Sequence, residues 1–536
     1  MSAKATWKVS AAVMASRVLG LVRDQIFAAM FGNNVLMACF TIAFRIPNLL
    51  RDLFAEGALS QAFVTTFSKK VKEGGPESAW PLAAKMLTLV GVAMAAISLI
   101  GILLSPQLVH LLTAFDGAGK APRNFSPDDI ALTVKMTRIM WPFMLLVSLA
   151  ALVMGILNSR NIFGIPALSS CFFNLGSIIA GTGIGLWMDP HRGPGTMIGM
   201  SIGVLVGGLG QLVCQIPSLR RLGFRWRPNW EWKDPGIRTI FSLMGPAVIS
   251  ASVVQINVVV NSQFATSIPN SPGAVVALSW AFRLMQLPIG VFGVAVATIT
   301  LPALARAAVG GTGPEFREVL ARGLRLVTFL VLPSALGLYF LAEPIISVVF
   351  ERGAFHSGAR LETAAALRGY GIGLLAYSGL KVLQPAFYAA DRRWVPMLVS
   401  FFAIALSVTS NWYFVVVRGM GVEALAMTTS IVATVNFFIL YIAMSRIASG
   451  LETRGLLVVF AKLAIAGLSM AGACMAANHY VFHDLTAMSP LSRIAWLAVV
   501  IPVAGGIYLA FARLLRVEEA GEFMEIIRSR LKKRAS

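Results

Sequence analysis

Charged side chains are scarce in this sequence. Asp, Glu, Lys and Arg make up 13% of its 536 residues, about half the share found in a typical soluble domain. Apolar residues make up 57%, and the mean hydropathy is +0.76. This balance excludes a disordered chain, a disulfide scaffold and an ordinary cytosolic enzyme. It predicts a polytopic membrane protein, and at about 20 residues per span the chain has room for roughly 12 to 16 helices.

Several kinds of chemical site are also missing. The 4 cysteines lie in apolar runs without a CxxC pair, and the 5 histidines form no ligand set, so we expect no metal site. There is no GxxxxGKS or GxxxxGKT phosphate loop and no Ser/His/Asp arrangement, and no pair of carboxylates in the membrane suggests a metal-dependent phosphate enzyme. We therefore predict no catalytic residues, no cofactor and no enzyme activity. A channel would need a pore-lining ring or a repeated filter sequence, and neither is present.

Positive charges predominate among the charges that remain. The chain has 45 Lys and Arg against 24 Asp and Glu, a net charge of +21. In a soluble protein this excess would suggest a nucleic-acid partner. In a membrane protein, basic loops lie against the anionic cytoplasmic leaflet. We therefore expect membrane lipids, and no nucleic acid, as partners.

Apolar segments of spanning length predict an all-α polytopic membrane protein with fourteen transmembrane helices. Their approximate limits are 9–31, 35–67, 80–104, 130–157, 162–187, 194–217, 237–264, 272–306, 317–342, 360–388, 394–416, 421–447, 452–478 and 490–515. A basic amphipathic tail, 516–536, follows the last span. When the basic residues at the span ends are included, the side of the two termini holds 27 Lys and Arg and the opposite side holds 7. This bias places both termini in the cytoplasm.

Two sets of matches indicate an internal repeat. Ala43-Phe44-Arg45 in span 2 recurs as Ala281-Phe282-Arg283 in span 8, 238 residues later. Five positions in spans 4–5 recur 230 residues later in spans 10–11: Ser148/Ser378, Pro166/Pro396, Leu168/Leu398, Ser170/Ser400 and Phe172/Phe402. Each copy holds six spans, so the two lobes point the same way and are related by a pseudo-two-fold axis along the membrane normal. This architecture favours a transporter.

The repeat defines a predicted domain organisation. The N-lobe (spans 1–6) takes 1–217, a basic cytoplasmic linker takes 218–236, and the C-lobe (spans 7–12) takes 237–447. Spans 13 and 14 (448–515) lie outside the repeat, and the cytoplasmic tail takes 516–536.

Five arginines lie inside predicted spans: Arg17, Arg23, Arg45, Arg51 and Arg283. A charge at mid-membrane costs several kcal/mol unless it faces water or a partner. Spans 1 and 2 share the pattern Arg-x5-Arg-Asp, which ends at Asp24 and Asp52. Positions seven apart return to nearly one helix face, so Arg17 aligns with Asp24 and Arg45 with Asp52.

The balance of these charges predicts an anion site. Even with both carboxylates paired, the five arginines retain about +3, which a polyanionic ligand would offset. Arginine suits phosphate because its planar fork binds two oxygens at once. The alternative is a set of structural ion pairs with carboxylates such as Glu56. Four other basic residues lie near span ends and are expected to extend to the membrane surface: Lys85, Lys135, Arg138 and Lys462.

Three runs near the N-terminus carry a family resemblance: 16–24 (SRVLGLVRD), 47–51 (PNLLR) and 54–63 (FAEGALSQAF). Together with Arg283-Leu284-Met285 in span 8, they resemble the MurJ (MviN) family of bacterial lipid II flippases. This family belongs to the multidrug/oligosaccharidyl-lipid/polysaccharide exporter superfamily. The resemblance covers nearly the whole chain.

The resemblance implies that the chain flips the undecaprenyl-pyrophosphate-linked disaccharide-pentapeptide across the bacterial inner membrane for peptidoglycan synthesis. It places substrate-binding arginines at Arg17, Arg23, Arg51 and Arg283, with Arg45 at a basic position of span 2. Spans 13 and 14 would form a groove for the lipid tail. We expect an alternating-access cycle in which three carboxylates serve gating or charge balance: Asp24, Asp52 and Glu56. We also expect a monomer, because both lobes lie in one chain, and other cell-wall synthesis proteins as partners.

The sequence departs from the family at two positions, where Ala38 and Phe282 stand in place of a frequent Asp. Apart from Glu423 at the start of span 12, spans 7, 11 and 12 offer Asn411 and Thr428 but no carboxylate, so sodium coupling is not carried over. Membrane potential or an ion gradient is the expected driving force, because a positive site responds to voltage. Two other exporter functions stay open, a polysaccharide-unit flippase and a cation-coupled drug antiporter. A structural scaffold is the third alternative.

Overall fold

A computed structural model of the chain describes residues 3–52, 59–113 and 124–525. Every regular element within these ranges is helical, which confirms the predicted all-α architecture. Glu56 lies outside the described residues, and so does the tail beyond Glu525.

The described chain divides into two compact units. The first takes in the chain up to Val276 together with Arg352–Phe355, and the second takes in Ala277–Glu351 and the chain from His356 onward. The predicted limits of the lobes, the linker and the extra spans stay predictions.

The helices of the first unit are α1 (Ala3–Phe31), α2 (Val35–Arg51), α3 (Leu59–Ser78), α4 (Trp80–Thr113), α5 (Pro127–Met140), α6 (Pro142–Ser159), α7 (Gly164–Met188), α8 (Pro194–Val213), α9 (Ile216–Arg221) and α10 (Pro235–Thr266). Several begin with proline in the first turn, where the missing N–H is not needed.

The second unit continues from α11 (Ala274–Pro288), which begins at the boundary. Its other helices are α12 (Val294–Ala307), α13 (Pro314–Phe340), α14 (Ala342–Phe350), α15 (Ser357–Ala389), α16 (Trp394–Asn411), α17 (Val422–Ile447), α18 (Thr453–Tyr480) and α19 (Pro490–Leu514). Short π-helical turns follow α11 at Ile289–Gly293 and α16 at Trp412–Val417.

Ten helical segments of the described chain are long and apolar enough to cross a membrane. They coincide with predicted spans 3–6, 8, 9 and 11–14, so the predicted multi-pass membrane protein is confirmed. Predicted spans 1, 2, 7 and 10 correspond to α1, to α2 with α3, to α10 and to α15. These helices carry Arg17, Arg45, Asn261 and Arg368. The count of fourteen stays a prediction.

Small residues bring α7 and α8 into close contact. A Cβ atom added to Gly203 would lie 2.3 Å from the Cα of Gly181, and one added to Gly199 would lie 2.3 Å from the Cα of Gly185. Glycine is therefore required along this seam, as is common between membrane helices.

The C-terminal end of α1 is held by the segment Arg352–Phe355 of the same unit. The Ala354 N–H donates to the Ala29 carbonyl at 2.9 Å. Gly32 and Gly353 have φ of 61° and 56°, and a Cβ on either would clash with a carbonyl oxygen at 2.3 Å. Only glycine fits both positions.

Candidate functional site

Arg23 and Asp24 form an ion pair on α1. The Nη2 of Arg23 lies 3.2 Å from the Oδ1 of Asp24, which is buried. The Arg23 guanidinium also lies over two rings, 5.5 Å from the centre of Phe173 and 6.0 Å from the centre of Phe27. Cation–π attraction at this distance adds to the ion pair. Arg23 is therefore oriented by one carboxylate and two aromatic faces.

Packing against α7 fixes the face of α1 that carries these residues. The Asn174 Nδ2 donates to the Ser16 carbonyl at 3.2 Å. Gly20 faces the same amide, since a Cβ there would lie 3.7 Å from the Asn174 Nδ2. A methyl group at position 20 would therefore fit at an ordinary van der Waals distance, whereas a longer side chain would reach the Asn174 amide.

Arg51 and Asp52 form a second ion pair where α2 ends. The Nη2 and Nε of Arg51 lie 2.8 Å and 3.2 Å from the Oδ1 of Asp52. The two side chains are 21% and 36% exposed, so this pair is more accessible than Arg23–Asp24, at 13% and 6%. A ligand oxygen can therefore reach Arg51 more easily than Arg23.

Arg45 is attached to a different helix by a neutral group. Its Nη1 donates to the Oγ of Ser262 on α10. Ser262 is fully buried, and its hydroxyl donates to the Val258 carbonyl at 2.6 Å. Because the hydroxyl proton points to Val258, a lone pair of the oxygen is left to accept from Arg45. Sequence reasoning missed Ser262, which lies 217 residues from Arg45.

A cluster of five phenylalanines connects the surroundings of Arg23 with those of Arg45. Ring centres along it lie 5.9, 6.4, 5.7 and 5.4 Å apart, in the order Phe27, Phe40, Phe44, Phe143 and Phe173. The last ring lies under Arg23, and Phe44 precedes Arg45 in α2. This phenylalanine cluster therefore packs continuously from Arg23 of α1 to the residue that precedes Arg45 in α2.

Arg17 differs from the other arginines of the first unit. Its side chain is exposed, and it makes no hydrogen bond or ion pair with the residues that the structure describes. Along α1 it is about 10 Å from Asp24, since seven residues rise by 1.5 Å each. Asp24 and Asp52 pair with the adjacent Arg23 and Arg51, and not with the aligned arginines seven residues earlier.

Arg283 lies in the second unit, on α11. Its side chain is exposed, whereas the following Leu284 and Met285 are buried. The preceding Phe282 contacts Tyr370 of α15 edge-to-face, with ring centres 5.5 Å apart. The core contacts of its neighbours thus turn Arg283 away from the core of its unit.

Other basic residues inside the predicted spans bind carboxylates of nearby elements. Lys85 was expected to extend to the membrane surface, but it is 8% exposed and pairs with Glu231 and, at 2.7 Å, with Asp234. Arg368 of α15 pairs with Glu343 of α14 at 2.6 Å. We therefore assign Lys85 and Arg368 a structural role, since each forms an ion pair with a neighbouring element.

The first unit thus gathers more guanidinium groups than carboxylates on α1 and α2. Arg23 and Arg51 bind Asp24 and Asp52, Arg45 is oriented by a hydroxyl, and Arg17 is exposed. Such a set can bind an anion such as a phosphate through charge-assisted hydrogen bonds. Among the residues described, no group of three or more His, Cys, Asp or Glu is placed to hold a metal ion.

Comparison with known proteins identifies similar chains. The family model described as lipid II flippase MurJ matches residues 27–495. A probable lipid II flippase MurJ from Vibrio cholerae is 34% identical over 474 residues, which cover 87% of this chain and 87% of that protein.

Solved structures share the fold. A lipid II flippase MurJ in an inward closed conformation superposes with a TM-score of 0.75 at 24% identity, covering 94% of this chain and 98% of that one. An inward-facing MATE family multidrug resistance transporter of the MOP superfamily gives a TM-score of 0.60 at 13% identity, covering 84% of this chain and 95% of that one. The second likeness shows a shared fold.

Proposed function

The chain belongs to the MurJ family of lipid II flippases, and we propose that its mid-span arginines bind the pyrophosphate of lipid II during an alternating-access cycle. It is a transporter and not an enzyme, and its activity serves peptidoglycan and cell-wall synthesis. The family, the helical membrane fold and the flippase activity expected from the sequence are confirmed. The residue roles and the cycle are our proposal.

The pairing of the two carboxylates carries this proposal. Asp24 and Asp52 bind Arg23 and Arg51, which lowers the cost of holding those arginines in the membrane. Arg17 has no such partner in the described chain. A pyrophosphate brings several oxygens and more than one negative charge, so it complements this surplus better than a single carboxylate would.

The rest of lipid II follows from its chemistry. The substrate in this proposal is the undecaprenyl-pyrophosphate-linked disaccharide-pentapeptide. Its polar head group needs a hydrated path, while its polyprenyl tail stays in the lipid along spans 13 and 14. In support, α18 and α19 expose large apolar side chains, among them Leu468 at 72% and Val503 at 55%.

We further propose the setting in which the chain works. It is a monomer in the bacterial cytoplasmic membrane, near other cell-wall synthesis proteins, with both termini inside. The concentration of Lys and Arg on one side of the predicted spans supports this orientation. Membrane potential is the proposed driving force, because the surplus positive charge responds to an electric field. Asp24, Asp52 and Glu56 serve gating or charge balance.

Depletion and rescue in cells test the function. In cells depleted of this chain, lipid-linked precursor should become inaccessible to an enzyme confined to the periplasm. Wild type and Lys69→Ala, which changes an exposed basic residue outside the site, should restore access. Arg51→Ala and Arg283→Ala should not, although they insert normally. If access never changes on depletion and no other flippase is present, the lipid II assignment fails for this chain. If Arg51→Ala and Arg283→Ala restore access as wild type does, the flippase function stands and the arginine proposal falls.

A further inference from the structure

The segment 222–234, between α9 and α10, exposes three tryptophans. We call it the tryptophan loop. Trp226, Trp230 and Trp232 are 56%, 67% and 72% exposed. Indole rings of this size are seldom left in water, but they are enriched at membrane–water interfaces, where one part of the ring is wet and the other apolar.

The three rings stay exposed because contacts with α4 hold the tryptophan loop in place at several points. Phe224 is 3% exposed and packs on Trp80 with ring centres 5.3 Å apart. The Asn229 N–H donates to the Thr88 Oγ1 at 3.3 Å. Both partners lie on α4, so the loop runs beside the first turns of that helix.

Ion pairs complete the attachment. Lys85 of α4 binds both carboxylates of the tryptophan loop, Glu231 and Asp234. Burial alone would raise the pKa of the Asp234 carboxyl, but hydrogen bonds from Lys85 and from the Gly236 N–H hold this pKa below its usual value. Asp234 therefore stays charged and caps the start of α10.

The exposed charged residues of the tryptophan loop that form no ion pair with Lys85 are all basic. Arg225, Arg227 and Lys233 are exposed and form no ion pair within the part of the chain that the structure describes. The only acidic residues of the loop are the two that Lys85 engages. Two more exposed arginines, Arg220 and Arg221, end α9 just before it.

The tryptophan loop also lies where a membrane surface would be. Its anchoring helix begins a candidate span at Trp80, and the preceding helices form another that ends at Arg221. A segment fixed to the ends of two spans lies at the boundary between lipid and water.

We propose that the tryptophan loop docks onto the anionic phospholipid headgroups of the leaflet on this side, which our orientation makes the cytoplasmic one. The indole rings enter the headgroup layer, and the guanidinium and ammonium groups bind lipid phosphates. Indoles and basic groups alternate along the chain here, which matches a headgroup layer better than the separate apolar centre and charged rim of a protein interface. Docking fixes the start of α10, the helix that carries Ser262.

The test uses the purified full-length chain in a neutral detergent. The measured quantity is the rise in Tm on adding phosphatidylglycerol, compared with phosphatidylcholine. Wild type should show a rise that shrinks at high salt, because ionic attraction is screened. In Arg225→Ala/Arg227→Ala, the phosphatidylglycerol concentration needed for half of the rise should increase about tenfold or more. The charge-conserving Arg225→Lys/Arg227→Lys should stay within about threefold of wild type.

Lys69→Ala/Lys72→Ala is the matched control, since it removes two exposed positive charges from α3, a helix that contains no tryptophan. Its response should equal that of wild type. If both double-alanine variants lose the same part of the Tm response, the effect depends on net charge alone and the proposal is wrong. An unchanged response in Arg225→Ala/Arg227→Ala would also overturn it. Soluble glycerol phosphate giving the full rise would assign the surface to free phosphate. If the Tm of wild type does not rise with phosphatidylglycerol, the lipid proposal is wrong, and an acidic protein becomes the candidate partner of this surface.

The proposal is separable from the flippase function. Arg51→Ala should keep the full response to phosphatidylglycerol while losing transport. The Tm response to phosphatidylglycerol therefore tests lipid docking whether or not the arginine proposal is correct.

Discussion

Ser262 and Arg45 offer a test at the scale of single residues. Hydrogen bonds to charged groups contribute about 1.5–3 kcal/mol, and Ser262→Ala removes an acceptor that helps to orient Arg45. We expect Ser262→Ala to slow lipid II flipping roughly tenfold. Ser262→Thr keeps the hydroxyl and should stay close to wild type. The measurement is lipid II translocation in proteoliposomes at several substrate concentrations.

Ser252 supplies the matched control on the same helix. Its hydroxyl donates to the Val248 carbonyl at 2.8 Å, as that of Ser262 donates to Val258 at 2.6 Å. Ser252→Ala should therefore translocate at the wild-type rate. Equal rates in the two alanine variants would mean that Arg45 works without help from Ser262.

Some residues of the site can be recognised from the local sequence, and others can be recognised only from the structure. An arginine within an apolar run is conspicuous in the sequence, so Arg17, Arg23, Arg45 and Arg51 could be singled out directly. The partner that orients Arg45 could not, because a serine is unremarkable and lies on a helix far away in sequence. The phenylalanine cluster gave no signal either, since its rings meet across four helices and share no local spacing.

At the scale of helices, α13 is joined to the start of the tail by two unequal ion pairs. The Arg325 Nε lies 3.2 Å from the Glu519 Oε1, and these side chains are 21% and 6% exposed. The Arg322 Nη2 lies 2.8 Å from the Glu522 Oε1, and these are 64% and 58% exposed. Val517 and Ala520 of the same segment are buried in the hydrophobic core formed with α13, α18 and α19.

Burial predicts different costs for breaking the two pairs. Arg325→Ala leaves the Glu519 carboxylate buried without its counterion, and we expect a loss of about 2–4 kcal/mol in the free energy of unfolding. Arg322→Ala breaks a solvent-exposed pair and should cost less than about 1 kcal/mol. The shift in Tm of the detergent-solubilised full chain compares the two directly. An equal shift would show that Glu519 does not depend on Arg325 for its charge balance.

Helix positions were easier to predict than helix ends and attachments. Apolar length identified α4, but the helix runs on to Thr113, nine residues past the expected 104, because Pro106 is accommodated inside it. Predicted span 2 covers 35–67, whereas α2 ends at Arg51 and α3 begins at Leu59. The tail was expected to be a basic amphipathic surface segment, yet its described part attaches through acidic residues. Local hydropathy cannot predict ion pairs between segments that are distant in sequence, such as those between the tail and α13.

At the scale of the whole molecule, the predicted topology can be tested by thiol labelling. Lys233 and Arg418 are exposed and are separated by five predicted spans, so they belong on opposite sides of the membrane. Arg418→Cys should react with an impermeant thiol reagent in intact spheroplasts, and Lys233→Cys only after permeabilisation. Both variants carry Cys214→Ala, because Cys214 is partly exposed whereas Cys39, Cys171 and Cys474 are buried, and Cys214→Ala alone is the control. Reaction of both variants from one side would exclude an odd number of spans between them.

The surplus charge of the five arginines makes a prediction about energy coupling. A charge that crosses the membrane field gains about 2.3 kcal/mol per 100 mV, so an inside-negative potential should favour the return of an empty, positive site to the cytoplasmic side. We expect lipid II translocation in proteoliposomes to accelerate under a potassium diffusion potential of that sign, at equal pH and sodium on both sides. Arg17→Gln should respond less steeply to voltage than wild type, whatever its absolute rate, because it removes one of the moving charges. Arg393→Gln, which removes an exposed charge at the end of a span, should respond as wild type does. A rate that ignores the potential but follows a proton or sodium gradient would assign the coupling to an ion, and the arginines would then bind substrate without sensing voltage.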